Sequence, residues 1–186
     1  MTEPPPVQAS ARTFAGLFLV TLATLTYQLL LTRVFSVTMY YHFAFVAISV
    51  TMFGMSAGGL IVYLRPHVFT DDRLGRHLTV AALSFAISIV ASFLAHVWLP
   101  FRPEFSAAGI ASVLVTYAVL SLPFTCSGIV VALALTRFST QVSALYAVDL
   151  AGAAAGCALL APMLRVTDAP TAIPNIVTEI ATKAKW

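Results

Sequence analysis

Charged side chains are scarce in this chain of 186 residues, where Lys, Arg, Asp and Glu together make up only 9%. A typical soluble domain carries roughly 25% of such residues, whereas hydrophobic residues here reach 60%. So little polar surface cannot cover a water-exposed globule, and a soluble domain is therefore excluded. We predict an all-α integral membrane protein, built as a bundle of about five transmembrane helices.

A strong positive charge and a rich supply of cysteine are also lacking. Ten Lys and Arg stand against seven Asp and Glu, for a formal net charge of +3. Positive residues flank the spans of most membrane proteins, so this excess indicates no nucleic-acid partner. The two cysteines, Cys126 and Cys157, lie within apolar runs and lack metal-ligand spacing. We interpret both as buried structural thiols rather than as a disulfide or redox pair.

Five apolar stretches are long enough to cross a bilayer, which needs about 20 helical residues. The predicted spans are residues 13–32, 42–63, 78–99, 108–135 and 144–164. The first stretch is too long for a signal peptide and no small-residue cleavage site follows it. We expect residues 1–12 to form an extended proline-rich tail. Residues 165–186 should form a second tail, with either a short interfacial helix or a frayed end.

Orientation follows from the distribution of Lys and Arg between the two sets of loops and tails. Each set carries five, but Lys183 and Lys185 lie about 20 residues beyond the last span, where the rule weakens. Without them the counts are five and three, which favours the N-terminus inside and the C-terminus outside. We expect this arrangement in the inner (cytoplasmic) membrane of a bacterium.

Two GxxxG patterns indicate close helix packing, because glycine lets two membrane helices approach at backbone distance. The second span holds Gly54, Gly58 and the adjacent Gly59, and the fifth span holds Gly152 and Gly156. The two patterns fall at overlapping depths on antiparallel helices. We therefore predict that spans two and five pack against each other there.

Polar side chains recur at helical spacing along the first and third spans. They are Thr21, Thr24, Gln28 and Thr32 in the first span, and Ser84, Ser88, Ser92 and His96 in the third. Such stripes usually face the bundle interior, where hydroxyls bond to backbone carbonyls of the same or a neighbouring helix. A solute path is the alternative, although five spans give no clean inverted repeat of the kind that transporters use.

One acidic residue, Asp149, falls within a predicted span. Intramembrane charges suggest a function because desolvating a charge is costly. Arg65 and Arg137 are expected on the same side of the membrane, and either could neutralise the carboxylate. The simpler interpretation is a structural ion pair or a helix-start acid stabilised by the helix dipole. A proton- or cation-handling site is the alternative.

A cluster of aromatic, basic and amide residues is expected at the opposite face of the membrane. It comprises Tyr27, Gln28, Arg33, Tyr40, Tyr41, His42, His96 and Trp98. Interfacial Tyr, Trp and Arg are typical of the aromatic belt that anchors membrane proteins. The alternative is a pocket for a lipid headgroup, quinone or pigment, with His42 or His96 as donor or axial ligand. Neither interpretation requires a cofactor, and no metal site is predicted.

Three segments carry a family resemblance: residues 27–33 (YQLLLTR), 54–59 (GMSAGG) and 145–156 (LYAVDLAGAAAG), the last being the most specific. Together they resemble the membrane region of spermidine-synthase-like integral membrane proteins, over residues 14–169. In that family the helices are typically joined to a soluble Rossmann-like aminopropyltransferase domain. Gln28 stands where the family usually has Glu, and no glycine-rich nucleotide loop or acidic polyamine site is found. The resemblance therefore implies a shared membrane scaffold without aminopropyl transfer.

The sequence contains no catalytic motif, and it favours a non-catalytic accessory subunit of a larger membrane complex. Such a subunit packs on partner helices and around bound lipid or cofactor, and an energy-transducing host, photosynthetic or respiratory, fits this interpretation. One alternative is a small transporter for an amine or other cation that uses Asp149. Another is the membrane half of an enzyme whose soluble half is a separate chain. The expected partners are membrane lipid and other membrane subunits.

Overall fold

The computed structural model describes residues 8–38, 43–98 and 106–167. These residues form five α-helices with two short 3-10 turns, and no strand occurs among them. The elements are α1 (Ala11–Thr38), α2 (Phe43–Leu64), a turn (Asp71–Arg73), α3 (Leu74–Trp98), α4 (Ala107–Arg137), a turn (Ser139–Gln141) and α5 (Val142–Thr167). Each helix is long and apolar enough to cross a membrane. The predicted all-α bundle of five transmembrane helices is confirmed.

Most helices start earlier or end later than the predicted spans, because helical turns continue past the apolar core of each span. α1 begins at Ala11 and includes Arg12, so the predicted extended tail of residues 1–12 is too long. α4 begins after Ser106, whose hydroxyl accepts a 3.1 Å hydrogen bond from the amide of Gly109. This cap satisfies one of the free donors of the first turn. The short helix predicted in the C-terminal tail lies outside the described residues.

At one end of the bundle α1 and α3 begin and α2 and α4 end. Two hydrogen bonds there link the segments that precede and connect the helices. The amide of Ala9 donates to Oε1 of Gln141 at 2.7 Å. Nη2 of Arg137 donates to the carbonyl oxygen of Phe69 at 2.8 Å. We call this end the α1-start end, and these contacts tie the segment before α1 and both connections together there.

The bundle is organised around α4. α2 and α3 pack along α4, α5 packs along α1, and α1 also contacts α4. In the most apolar window of α4, 50% of the residues are buried, compared with 17% for α3 and for α5. The predicted pairing of the second and fifth spans is wrong, since their glycine motifs face different helices. α5 lies at the edge of the bundle.

The buried apolar side chains form two clusters at different depths. One cluster, nearer the α1-start end, includes Leu17, Leu74, Phe85, Leu133, Phe138 and Leu145. The other includes Tyr27, Leu31, Phe35, Val50, Leu120 and Phe124. Many large apolar side chains point outward instead, such as Phe53 with 68% and Ile87 with 69% of their surface exposed. Outward apolar side chains of this kind suit a bilayer, where lipid takes the place of water.

Candidate functional site

Two of the three glycines of α2, Gly54 and Gly58, lie directly on the backbone of α4. A Cβ atom added at Gly54 would be 2.6 Å from the Cβ of Phe124. A Cβ atom added at Gly58 would meet the carbonyl oxygen of Thr125 and lie 2.7 Å from the amide nitrogen of Ile129. Real Cβ atoms essentially never come this close to backbone atoms. The close packing of these two helices therefore depends on the absence of side chains at both positions.

The matching glycine of α4, Gly128, was not identified from the sequence. A Cβ atom at Gly128 would lie 2.5 Å from the carbonyl oxygen of Met55. Ser121 and Thr125 precede it on the same helix, and this small-residue spacing is the signal that could have identified it. Gly59, by contrast, has no heavy atom within 4 Å of the position that a Cβ would take. The predicted packing role does not hold for Gly59.

The glycines of α5 lie on α1 in the same manner. A Cβ atom at Gly152 would meet the hydroxyl of Thr21, and one at Gly156 would be 2.5 Å from the carbonyl oxygen of Leu22. The hydroxyl of Thr26 donates to Leu22 within its own helix at 2.8 Å and to the carbonyl oxygen of Gly156 at 3.3 Å. The α1–α5 contact thus combines close backbone approach with a hydrogen bond between the helices.

Two pairs of hydroxyl groups join α1 to α3 and α4 inside the bundle. Oγ1 of Thr24 lies 2.7 Å from Oγ of Ser127, and the phenol oxygen of Tyr27 lies 2.9 Å from Oγ of Ser92. All four side chains are buried. Thr24 also donates to the carbonyl oxygen of Val20 at 2.7 Å, so Ser127 supplies the proton of the interhelical bond. Polar groups that face the interior are satisfied by one another here.

The remaining members of the two polar stripes are less enclosed. Thr21 is buried, Gln28 and Thr32 are half-buried, and on α3 Ser88 is half-buried while Ser84 is exposed. The hydroxyl of Thr32 donates to the carbonyl oxygen of Gln28 at 2.9 Å. Such a bond within one helix satisfies a hydroxyl without a neighbouring helix. The stripe of α3 therefore faces the interior along part of its length only.

Of the cluster predicted at the membrane face opposite the α1-start end, the structure describes the side chains of Tyr27, Gln28, Arg33 and His96. Tyr27 lies in the core, where its ring stacks on Phe124 with centroids 5.5 Å apart. Gln28 is half-buried and Arg33 is exposed. Tyr40, Tyr41 and His42 lie outside the described residues, and Trp98 is the last residue of α3. Tyr27 is therefore a core residue rather than a headgroup contact, because Ser92 already satisfies its hydroxyl.

His96 is the histidine of this cluster that the structure describes. Its ring packs edge-on against Phe35, with centroids 5.1 Å apart. Its Nδ1 atom is buried and has no hydrogen-bond partner in the part of the chain that the structure describes. The space beside the ring, between Thr116 and Val119 of α4, is too narrow to admit a water molecule. The prediction of a quinone or pigment contact at His96 stays a prediction.

Asp149 is half-buried on α5, in the second turn of that helix. In the described residues no hydrogen bond or ion pair joins its carboxylate to Arg65 or Arg137. Arg65 is exposed just after α2, and Arg137 donates to the carbonyl oxygen of Phe69. Among the described residues, therefore, Asp149 does not form the predicted ion pair with Arg65 or Arg137.

The described residues contain no disulfide between the two cysteines and no group of side chains suited to a metal ion. Cys126 and Cys157 are both free. Cys126 is half-buried, but Cys157 is exposed on α5, so the prediction that both thiols are buried is wrong for Cys157. No three His, Cys, Asp or Glu side chains of the described helices and connections come together in a way that could hold a metal ion.

These features define a class, that of multi-pass α-helical membrane proteins. Comparisons with family models, with curated proteins and with solved structures find no match for the chain.

Proposed function

We propose that this protein is a non-catalytic accessory subunit that packs against partner helices in a larger membrane complex. The outer face of α5 supports this proposal best. It carries a stripe of exposed small side chains at helical spacing, Ala144, Ala147, Ala151, Ala154 and Ala158. A stripe of this kind lets a second helix approach closely. α5 would then be held between α1 on its glycine face and a partner helix on its alanine face.

The interior of the bundle also favours a scaffold. The pairs Thr24–Ser127 and Tyr27–Ser92 use their hydroxyls for contacts between helices. Close backbone approach at Gly58 leaves no room between α2 and α4 at that depth. A packed interior with internally satisfied polar groups is what a structural subunit needs. The resemblance to the membrane region of spermidine-synthase-like proteins agrees with a shared scaffold. The host that we propose is an energy-transducing complex of a bacterial inner membrane.

Purification of the full chain in a mild detergent, followed by mass spectrometry of co-purifying chains, tests this proposal. We expect a stable assembly with other membrane subunits. Ala151→Leu combined with Ala154→Leu should release the partner, because bulky side chains separate two closely packed helices. Ala86→Leu, at an exposed position of α3, is the matched control and should retain it. A lone chain, a homo-oligomer alone, or full retention of the partner by the α5 variant would contradict the proposal.

Asp149 favours one alternative, a small transporter for an amine or other cation. An acid within a membrane span is costly to keep without a partner, and among the described residues no ion pair joins Asp149 to Arg65 or Arg137. The alternative predicts that Asp149→Asn abolishes cation uptake into proteoliposomes at unchanged expression. Recovery of a soluble methyltransferase-like chain in the mass spectrometry would instead favour the membrane half of a split enzyme.

A further inference from the structure

A groove of about 460 Å³ opens at the α1-start end of the bundle, between the beginnings of α1 and α3. Its mouth is polar, and it is lined by Ser10, Arg12 and Thr13 on one side and Thr79 on the other. Ser10 precedes α1, Arg12 and Thr13 lie in its first turn, and Thr79 lies in the second turn of α3, which places the mouth near the edge of the membrane-spanning segment. The volume falls within the roughly 300–1,000 Å³ that is usual for small-ligand sites.

Below the mouth the groove becomes apolar. Leu17 and Ala82 lie along its walls, and Val130 and Ala134 of α4 form its floor. On α3 the lining runs from Gly75 to Leu83, which corresponds to about 12 Å along the helix axis. The groove is therefore polar at the membrane surface and apolar toward the bilayer centre.

Two glycines create the space between the helices. Gly16 of α1 and Gly75 of α3 both line the groove. A Cβ atom added at either position would have no heavy atom of the described residues within 4 Å. These glycines differ from Gly58 and Gly152, where another helix fills the space. The groove is open because no other described helix occupies it.

The mouth of the groove carries positive charge. Arg12 contributes a guanidinium group, and none of the described side chains that line the groove is acidic. α1 and α3 both begin at the mouth, and neither has an acidic residue in its first turn. Their helix dipoles therefore add partial positive charge at this place. Asp72 lies in the turn before α3, where it is exposed and outside the lining.

We infer that this groove binds an anionic phospholipid, with the phosphate at Arg12 and one acyl chain along the apolar walls. The polar and apolar parts of a phospholipid are arranged as they are in the groove, with the charged group at the membrane surface and the apolar chains below it. Guanidinium groups bind phosphate through paired, charge-assisted hydrogen bonds. A partner helix would cover Arg12 with apolar surface and leave its charge without a counter-ion, which is costly. With the N-terminus inside, the mouth faces the cytoplasmic leaflet, whose anionic lipids attract basic residues.

The experiment uses the full chain in phosphatidylcholine vesicles that contain a minor fraction of phosphatidylglycerol. The protein is extracted in a mild detergent and the lipids that remain bound are quantified by mass spectrometry. We expect phosphatidylglycerol to be enriched over its fraction in the vesicles. Arg12→Gln should lower this enrichment about five-fold, the effect of one arginine near an anionic surface. Arg76→Gln, an exposed arginine in the first turn of α3 that does not line the groove, is the control and should leave it unchanged.

A second variant separates the acyl chain from the headgroup. Gly16→Phe places a large ring in the open groove and should reduce the retention of both lipids, with Gly75→Leu as a replacement if Gly16→Phe does not fold. Equal retention of the two lipids by the native chain would overturn the inference, and so would undiminished enrichment in Arg12→Gln. Unchanged lipid retention in the groove-filling variant, together with loss of a co-purifying subunit, would assign the groove to a partner helix. The inference does not rest on the proposed accessory role, which concerns α5.

Discussion

At the level of single residues, Gly58 determines how closely α2 and α4 can approach. The position that its Cβ would take is already in contact with the carbonyl oxygen of Thr125 and lies 2.9 Å from the carbonyl carbon of Gly128. In a bilayer, burial of apolar surface between helices gains little, because lipid is as apolar as a leucine side chain. Van der Waals contact at close range must therefore hold the two helices together, and that contact is lost when a side chain separates them.

Gly58→Leu should destabilise the bundle, whereas the neighbouring Gly59→Leu should not. The first substitution forces a side chain into the backbone of α4, and overpacking of this kind typically costs about 1–3 kcal/mol. The second has open space at its Cβ position. Thermal unfolding in detergent, followed by circular dichroism, measures both variants against the native chain. Equal unfolding midpoints for the two variants would contradict the packing described for α2 and α4.

The two adjacent glycines also show what the sequence could specify about the site. The pattern from Gly54 to Gly59 correctly predicted a close-packed face on α2. It did not show that Gly59, unlike Gly54 and Gly58, lies off that face. Adjacent residues point about 100° apart around a helix, so only one of Gly58 and Gly59 can face α4. Choosing between them requires the position of the neighbouring helix, which composition and spacing do not supply. Gly128 was missed because the small residues that precede it on the same face of α4 are Ser121 and Thr125, so no GxxxG pattern marks that face.

At the level of helices, each membrane span could be predicted but its neighbours could not. Span length follows from the thickness of the bilayer, so five apolar stretches specified five helices. A GxxxG motif describes one face of one helix and leaves the partner open. The motifs of α2 and α5 overlap in depth, yet Gly54 and Gly58 lie on α4 whereas Gly152 and Gly156 lie on α1. Hydroxyl pairs such as Thr24 with Ser127 carry the missing information, because they require two particular helices to be adjacent.

Thr24→Cys combined with Ser127→Cys should form a disulfide between α1 and α4. The two hydroxyl oxygens are 2.7 Å apart, which brings sulfur atoms at the same positions within reach of the roughly 2.05 Å disulfide bond length. The test uses a chain in which Cys126 and Cys157 are replaced by alanine, and a gel-mobility shift that a reducing agent reverses reports the bond. Thr24→Cys with Ser121→Cys is the control, since Ser121 lies six residues away along α4, about 9 Å. Cross-linking in the control alone would be evidence against the α1–α4 contact.

At the level of the whole molecule, the helix directions place the connections on two sides. The connection between α2 and α3 lies at the α1-start end, and the first turn of α4 lies at the other end. Hydropathy predicts this alternation, and the arginine distribution predicts which side is inside. The groove between α1 and α3 was beyond prediction, because it depends on the separation of two helices that are far apart in sequence.

Surface labelling of single cysteines should distinguish the two sides. In a chain without Cys126 and Cys157, we expect Ala107→Cys to react with a membrane-impermeant maleimide on intact cells. Thr70→Cys should react only after the membrane is permeabilised. Both residues are exposed in the structure, so a difference in labelling reports sidedness. The reverse pattern would show that the predicted orientation is wrong, and labelling of both from one side would contradict the membrane crossing of α3.

The packing of α5 on α1 has a consequence for how the protein is made. Helices leave the ribosome in chain order, so α1 is in the membrane while three further helices are being synthesised. Throughout that interval the face of α1 around Thr21 and Thr26 has no covering helix. During this interval an insertion factor, or the α5 of a neighbouring copy, can bind that face of α1. Correct maturation of the bundle therefore depends on a contact that forms only after α5 has been synthesised.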